Sequence, residues 1–362
     1  MDEIYILGAG ASFEHGAPLT KDILPYALKL DEGDERLQIV RCFLKDIFHF
    51  DAEQAADDED SFPSLVDALS VVDLALDRHE NLAKNYDQKK LREVRQALEY
   101  AVFRSLEHSL SSQTSNQRPR SKATLDLIHK LNADSKAAII SLNYDVIVDI
   151  ALFRRTDQYF EFESASTERL EDVEASTQRI DYGVEFANFE KVEATVAEPG
   201  QGFPLYKLHG SFNWLLSKVT GNLYYGGLQK AVGVLYGGDI ESLYREGAQL
   251  FGEQVSALEP ILVTPTHLKD LRNPHLAGIW RKAEMALRQA KRVIFIGYSL
   301  PGDDMHIKYL LKRSLETNPH RRRAEIVVVN PSKWDQSNFR KFFGDQVVSH
   351  QMGFADYVNN VM

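Results

Sequence analysis

Small and polar side chains follow short apolar runs at five points of this chain. Glycines in such places let the backbone approach an anion, while hydroxyl, amide and imidazole groups can hold a ligand or accept its proton. Together they could bind a phosphorylated molecule and catalyse a reaction on it. The residues are Gly8, Gly10 and Ser12; Asn143 and Asp145; His209 and Ser211; Gly297 and Ser299; and Asn330.

The first point is the segment Ile4–Ser12, IYILGAGAS. A β-rich apolar run leads into Gly8, Gly10 and Ser12, which predicts a strand, a tight turn and the start of a helix. The N–H groups that open this helix would point at an anion, aided by the helix dipole. The segment predicts a phosphate-binding turn, although a Gly-Ala-Gly turn can also serve only to reverse the chain.

The glycine turn departs from the fingerprint of dinucleotide-dependent dehydrogenases. The third glycine of that fingerprint would fall at Phe13, and no clear second strand with a terminal Asp or Glu follows at the expected distance. A dinucleotide site is compatible with the turn, whereas hydride transfer is disfavoured.

Asn143 and His209 are the side chains best suited to chemistry. An amide at a strand end can hold a ribose hydroxyl or a water, but it can equally cap the next helix, as Asp145 can. His209 precedes a Gly-Ser pair and can take a proton near neutral pH, or it can be a buried structural histidine. The other histidines lack partners at metal-ligand spacing, so we expect no metal.

Serine hydrolysis is disfavoured as the chemistry of Ser12, Ser211 and Ser299. None of them lies in the motif G-x-S-x-G. Ser299 follows Gly297 at the right spacing, but Pro301 occupies the position of the motif's second glycine. Contacts to phosphate or ribose account better for these serines.

The elements that would position these residues alternate between apolar strands and helices. Strands are predicted at Ile4–Leu7, 137–142, 205–208, 260–263, 292–296 and 325–329. Such alternation predicts an α/β fold with a doubly wound, Rossmann-like parallel sheet, whose strand ends share one ligand-binding edge. Residues 1–20 and 132–362 would form this domain, and 21–131, with apolar residues at helical spacing, a large helical insertion. An acidic segment, Thr156–Gly200, would form a loop or hairpin.

Composition indicates an ordinary globular protein. The chain has 362 residues, of which 44% are hydrophobic and 26% charged, and a net charge of −11, so general affinity for nucleic acid is not expected. The single cysteine, Cys42, excludes an internal disulfide and a multi-cysteine zinc site. We find no apolar run of membrane-spanning length and no signal peptide, and we expect a cytoplasmic location.

The motifs, taken in order, resemble the NAD-binding fold of sirtuins. These are GAGAS near the N-terminus, SLNYD, KLHGS, GYSL and VVVNP. The pattern from Gly8 to Pro18, G-A-G-x-S-x-x-x-G-x-P, and the stretch from Thr264 through Trp280 to Pro301 are particularly similar to bacterial sirtuin-like proteins of antiphage defence, which hydrolyse NAD+. The similarity spans most of the chain outside the helical insertion and the acidic segment.

The resemblance implies a role for each site residue. The turn Gly8, Ala9, Gly10 and Ser12 would hold the pyrophosphate of NAD+. Asn143 would hold the nicotinamide ribose and the attacking water, supported by Asp145, and His209 would act as base through a ribose hydroxyl. The adenosine half would be held by Gly297, Ser299 and Asn330.

Two departures from the sirtuin pattern favour NAD+ hydrolysis over protein deacylation. The four cysteines of the sirtuin zinc ribbon are absent, and in the stretch G-I-P-D-F-R only Gly16 and Pro18 are matched. An NAD-dependent deacylase and a non-catalytic module that binds NAD or ADP-ribose remain the alternatives. Because an unregulated NAD hydrolase would be toxic, we expect control by homo-oligomerisation or by a partner, such as a separately encoded ATPase or nuclease of the HerA type.

Overall fold

The computed structural model describes residues 1–31, 33–52, 62–115, 121–131, 136–154, 178–226, 258–267, 269, 271–302, 304–316 and 324–362. The strands are β1 (Glu3–Leu7), β2 (Ala137–Ser141), β3 (Ile180–Asp181), β4 (Phe203–Lys207), β5 (Gly210–Ser217), β6 (Leu223–Tyr225), β7 (Leu258–Leu262), β8 (Arg292–Ile296), β9 (Glu325–Val329) and β10 (Val348–His350). The first helices are α1 (Ala9–Phe13), α2 (Ile23–Leu30), α3 (Glu35–Phe48), α4 (Leu65–Asp77), α5 (Gln88–Ser115) and α6 (Ala123–Lys130). They are followed by α7 (Ile147–Arg154), α8 (Phe189–Val192), α9 (Pro274–Gln289), α10 (Met305–Glu316), α11 (Lys333–Phe343) and α12 (Phe354–Asn360).

Seven strands form one parallel sheet in the order β10-β9-β8-β1-β2-β4-β3. The first strand lies at its centre, where Ile4 pairs with Ala138 on one side and with Val293 on the other. β1 and β2 consist almost entirely of buried residues, as expected for strands covered on both faces. The predicted doubly wound α/β fold is therefore confirmed.

A second sheet of three antiparallel strands, β6-β5-β7, has no counterpart in the sequence-based prediction. The run at residues 260–263 was correctly predicted to be extended, but as β7 it pairs with β5 instead of joining the parallel sheet. β5 begins at Gly210, whose φ is +78° and whose Cβ would lie 2.0 Å from the carbonyl oxygen of Ile261. Only glycine permits this close approach of β5 to β7.

Four long helices, α2 to α5, pack on one another, with α5 contacting each of the other three. Their buried residues recur at helical spacing, as predicted for the insertion. The last helix of the predicted range, α6, instead packs against α7 and α12. The domain boundary near residue 131 stays a prediction, because α6 adjoins the helices around the sheet.

Two predictions fall partly on residues outside the described ranges. Of the acidic segment Thr156–Gly200, residues 178–200 are described and contain β3 and α8. The Gly- and Tyr-rich segment 221–238, predicted as turns and short strands, is described to residue 226 and contains β6. Within the described ranges, every helix is too short or too polar to span a lipid bilayer.

Candidate functional site

The carboxyl end of the parallel sheet brings the predicted site residues onto one edge. Asn330 follows β9, Gly297 follows β8, Gly8 follows β1, Asn143 follows β2 and His209 follows β4. Because these strands are successive parallel neighbours, their ends lie side by side. The row is the place where open α/β sheets bind ligands.

Asn143 joins the ends of β2 and β1 through its side-chain amide. Its Nδ2 donates hydrogen bonds to the carbonyl oxygen of Gly8 at 3.0 Å and to Oγ of Ser12 at 2.8 Å. Since a carbonyl oxygen only accepts, the bond to Gly8 determines which end of the amide faces β1. Both Nδ2 protons are then donated, and the atom that the amide can offer a ligand is the acceptor Oδ1.

Asp145 completes this network and also caps a helix. Its Oδ2 accepts a hydrogen bond from Ser12 Oγ at 2.6 Å, and its Oδ1 accepts one from the N–H of Ile147 at 3.1 Å, in the first turn of α7. From the sequence, either Asn143 or Asp145 could cap the helix that follows them. In the structure, Asp145 caps α7. Burial raises the pKa of Asp145, although the charge of Lys207 and the Ser12 hydrogen bond oppose the rise.

The turns after β1 and β8 pack backbone against backbone. The N–H of Gly10 donates to the carbonyl oxygen of Gly297 at 2.8 Å, and Gly297 has φ +62°. A Cβ on Gly10 would lie 2.8 Å from Cα of Gly297, and one on Gly8 would lie 2.7 Å from the Gly297 carbonyl oxygen. Glycine is therefore needed here for the close approach of two turns, independently of any phosphate.

His209 is held with one ring nitrogen on the backbone of β2. Its Nδ1 lies 3.0 Å from the carbonyl oxygen of Leu142, and its side chain is 9% exposed. Because a carbonyl oxygen only accepts, Nδ1 carries a proton, and the basic atom of the neutral ring is Nε2. The histidine is thus both buried and hydrogen-bonded, as in the structural alternative, and oriented to take a proton at Nε2.

Two aromatic side chains that the sequence-based analysis did not assign to the site fix the backbone around His209. Trp280 of α9 donates from Nε1 to the carbonyl oxygen of Leu208 at 2.9 Å. Tyr144 donates to the carbonyl oxygen of Val263 at 2.7 Å, and its ring centroid lies 6.3 Å from that of His209. The ends of β2, β4 and β7 are joined in this way.

Lys207 is a buried charge beneath the site that sequence reasoning also missed. Its Nζ donates to the carbonyl oxygen of Asp145 at 2.6 Å and to Ser211 Oγ at 2.7 Å, and pairs with Asp149 Oδ2 at 3.1 Å. Ser211 in turn donates to Asn213 Oδ1 at 2.7 Å, which makes it part of the packing of this network. The sequence did contain a signal for this network, because a lysine inside a strand that is predicted to be buried requires a charged or hydrogen-bonding partner.

Asp304 faces His209 from the start of α10. Its Oδ1 lies 4.0 Å from His209 Nε2 and forms an ion pair with Lys269, while its Oδ2 accepts a hydrogen bond from Tyr298 at 2.8 Å. Burial by itself would raise the pKa of Asp304, but the charges of His209 and Lys269 and the hydrogen bonds lower it overall. An Asp directly before a helix is typical of a cap, so the sequence contained no distinctive signal for this contact.

Asn330 and Ser299, which were predicted to hold the adenosine half, form hydrogen bonds within the segments that follow β9 and β8. Asn330 is buried, its Oδ1 accepts a hydrogen bond from the N–H of Ser332 at 2.9 Å, and its carbonyl oxygen accepts one from Gln336 at 2.8 Å. Ser299 is half-buried, and its carbonyl oxygen lies 3.4 Å from Nδ2 of Asn338. Both lie on the predicted edge, and their contact with a nucleotide stays a prediction.

Among the residues that the structure describes, no group of three His, Cys, Asp or Glu side chains is arranged to hold a metal ion. The single cysteine, Cys42, is exposed on α3. The edge presents an oriented amide acceptor, an imidazole with a basic Nε2 and a carboxylate beside it. Such a set can hold a hydroxyl or a water and accept a proton from it.

Comparison with known proteins points to one family. A family model described as a SIR2-like domain matches residues 137–349, which include the ends of β2, β4, β8 and β9. In the comparison with curated proteins, none matches this chain.

Solved structures of sirtuins are similar to this chain over its whole length at low identity. "Structure of Sir2Tm bound to a propionylated peptide" is 13% identical, with 100% of this chain and 92% of that chain covered and a TM-score of 0.42. "The Structural basis of Sirtuin Substrate Affinity" is 12% identical, with 100% and 93% covered and a TM-score of 0.43. "Sir2-p53 peptide-NAD+" is 11% identical, with 100% and 92% covered and a TM-score of 0.41.

Proposed function

The chain belongs to the SIR2-like domain family, and from that premise we propose that it hydrolyses NAD+ to nicotinamide and ADP-ribose. The observation that carries the proposal is the amide of Asn143, held by Gly8 and Ser12 so that Oδ1 is the atom left for a ligand. His209, with Nε2 as its basic atom, follows the adjacent strand β4. Both residues belong to the edge at which α/β sheets bind nucleotides.

The reaction needs few groups from the protein. The glycosidic bond of NAD+ joins the ribose to a positively charged nicotinamide, which leaves as a neutral molecule and needs little help from an acid. The enzyme must orient the sugar, stabilise an oxocarbenium-like state and position water. Asn143 Oδ1 would accept a hydrogen bond from the ribose or from that water, and His209 Nε2 would take a proton from a ribose hydroxyl.

The nucleotide would lie along the row of strand ends. We place the nicotinamide ribose near Asn143 and His209, the pyrophosphate at the turn Gly8–Gly10, and the adenosine half toward β8 and β9. The Ser12 hydroxyl already donates to Asp145 and accepts from Asn143, so its role would be to support Asn143. Asp145 would support the pocket by holding Ser12 and capping α7.

We further propose that the activity serves bacterial antiphage defence and is controlled by oligomerisation or by a partner. Contacts between the helices and the site support such control. Arg95 of α5 donates to Thr264 at 2.7 Å, and Ser70 of α4 lies 3.1 Å from Thr266. The same loop contains Val263, which binds Tyr144, and Lys269, which binds Asp304. A partner that moves α4 or α5 could therefore change the site.

The test is release of nicotinamide and ADP-ribose from NAD+ by purified protein at several protein concentrations. We expect release by the wild type, its loss in Asn143→Ala and His209→Ala, and full activity in Asn222→Ala, an exposed asparagine in the turn before β6. Circular dichroism would verify that each variant is folded. A steep dependence on protein concentration would support control by assembly.

Other outcomes would select the alternatives. Nicotinamide release that requires an acylated peptide would favour a deacylase, and NAD+ binding without turnover in every assembly state would favour a regulatory module. Full activity in either Asn143→Ala or His209→Ala would contradict the assignment of these residues. If NAD+ does not bind at all, the proposal fails.

A further inference from the structure

We propose that Asp304 is a positioning residue that acts on His209 by charge and favours its protonated ring. This inference rests on the proposed function for its role in turnover, and on the structure alone for its effect on His209. Asp304 was not among the residues that the sequence or the family resemblance pointed to. It comes from the start of α10, on the opposite side of His209 from the Leu142 carbonyl.

The two ring nitrogens of His209 face partners of different kinds. Nδ1 donates to the Leu142 carbonyl oxygen at 3.0 Å, and Nε2 lies 4.0 Å from Asp304 Oδ1. A distance of 4.0 Å is too long for a hydrogen bond, so the carboxylate acts on the ring through its charge. When Nε2 takes a proton, the N–H bond forms on the side of the ring where a negative charge already lies.

Asp304 is held in place by groups that also keep it ionised. Its side chain is 5% exposed, Lys269 pairs with Oδ1, and Tyr298 donates to Oδ2 at 2.8 Å. A buried carboxylate without such partners would be expected to take up a proton itself. With the charge of a protonated His209 and with these partners, the pKa of Asp304 is lowered in spite of burial, so the negative charge persists at neutral pH.

Of the groups described around His209, Asp304 is the carboxylate beside its ring, 4.0 Å from Nε2. The Tyr144 ring packs near the imidazole and donates its hydroxyl proton to a backbone carbonyl. Lys269 pairs with Asp304, and burial together with Lys269 lowers the pKa of His306, which favours its neutral form. Lys269 acts on His209 through this pair, by keeping Asp304 ionised.

In the proposed reaction the step is a simple proton transfer. The O–H bond of a ribose hydroxyl breaks, an N–H bond forms at Nε2, and the resulting imidazolium is stabilised by the Asp304 carboxylate. Water adds to the ribose carbon as nicotinamide leaves and gives a proton to the ribose alkoxide, and Nε2 then releases its proton to solvent, which accounts for the H+ that hydrolysis of NAD+ produces. Asp304 itself neither gains nor loses a proton and need not touch the substrate.

The test is the pH titration of His209 by NMR of ¹⁵N-histidine-labelled full-length protein, with the resonances identified by their loss in His209→Gln. We expect Asp304→Asn to lower the midpoint of His209 protonation by about one pH unit or more. Asp304→Glu, which keeps the charge, should leave the midpoint close to that of the wild type. The matched control is Asp2→Asn, which breaks an exposed ion pair with Lys291 at the amino end of β1.

Turnover provides a second, separate readout. In Asp304→Asn we expect kcat at neutral pH to fall by roughly tenfold or more with little change in KM, and the acidic limb of the pH profile to move to lower pH. An unchanged His209 midpoint in folded Asp304→Asn overturns the inference, as does a midpoint in Asp304→Glu as low as that in Asp304→Asn. If Asp304→Asn does not fold, Asp304→Ser, which also removes the charge, is titrated instead, and an unchanged midpoint there overturns the inference. If the wild type does not turn over NAD+ but the midpoints shift as expected, the proposed function fails and this inference stands.

Discussion

Asn143 and Ser12 lie 131 positions apart in the sequence, and Nδ2 of the one donates to Oγ of the other at 2.8 Å. The bond crosses from the end of β2 to the helix that follows β1. Ser12 Oγ in turn donates to Asp145 Oδ2, so three polar side chains from two adjacent strand ends form one hydrogen-bonded network. The orientation of the Asn143 amide depends on the parallel pairing of β1 with β2.

This network predicts that Ser12 and Asn143 are energetically coupled. Ser12→Ala leaves the buried Asp145 carboxylate without its hydroxyl donor and should lower the free energy of unfolding by about 1–3 kcal/mol. In a double-mutant cycle with Asn143→Ala, measured by urea unfolding, the two effects should be non-additive by about 0.5 kcal/mol or more. Additive effects would show that the bond contributes nothing to stability.

The packed turns after β1 and β8 predict that Gly10 cannot be enlarged. In Gly10→Ala the new methyl group would lie 2.8 Å from Cα and 2.9 Å from the carbonyl oxygen of Gly297, both backbone atoms. We expect a loss of about 1–3 kcal/mol in the free energy of unfolding. The control is Gly278→Ala in α9, where no atom lies within 4 Å of the new methyl group; it should be neutral or stabilising by about 0.5–1 kcal/mol. Equal effects of the two substitutions would contradict the packing argument.

The buried Lys207 predicts a large effect from removal of one charge. Lys207 and Asp149 are 0% and 1% exposed, so Lys207→Met leaves an unpaired carboxylate in the core and should cost about 3–5 kcal/mol. Thermal or urea unfolding would measure it. The control is Lys218→Met, which breaks the exposed pair between Lys218 and Glu259 and should cost less than about 1 kcal/mol. A similar small effect for both lysines would mean that Asp149 is satisfied without Lys207.

Asp145 and Asp304 predict opposite dependences of stability on pH. The pKa of Asp145 is raised, so above about pH 4 the unfolded chain gives up this proton while the folded chain keeps it. The stability of the wild type relative to Asp145→Asn should therefore fall as the pH rises above about 4. Urea unfolding across this range would measure the difference.

The reference for that experiment is Asp304, whose pKa is lowered. Here the folded chain loses the proton at a lower pH than the unfolded chain, so the stabilisation is present above about pH 4 and is lost as the pH falls through the folded pKa. The stability of the wild type relative to Asp304→Asn should fall on acidification. Differences of the same sign for both residues would contradict the opposite directions of the two shifts.

The parallel sheet and the row of site residues could be predicted from the sequence because the signals are local. Apolar runs such as Ile4–Leu7 that alternate with helices are typical of a covered parallel sheet, and the residue after such a run lies at the carboxyl edge. Asn143, His209 and Gly297 were therefore assigned to one edge without knowledge of their contacts. The family resemblance added roles, and the match to the SIR2-like domain covers the range in which most of these residues lie.

The contacts between those residues could not be predicted, because they depend on segments that are distant in the sequence. Asn143 donates its amide protons to Gly8 and Ser12, while Asp145 binds Ser12 through one oxygen and caps α7 through the other. The antiparallel pairing of β7 with β5 brings Gly210 against Ile261, a contact that hydrophobic periodicity does not show.

By itself, the sequence determined the fold class, the edge on which the polar residues meet and the family. The fold class and the edge follow from residue types at short spacing, and the family follows from motifs along the chain that resemble those of sirtuins. Only the tertiary structure decided that Lys207 is buried beneath the site, that Nε2 is the basic nitrogen of His209, and that Asp304 faces it. The physical reason is that hydrogen bonds and charges act over a few ångströms, and packing alone determines which distant side chains come within that range.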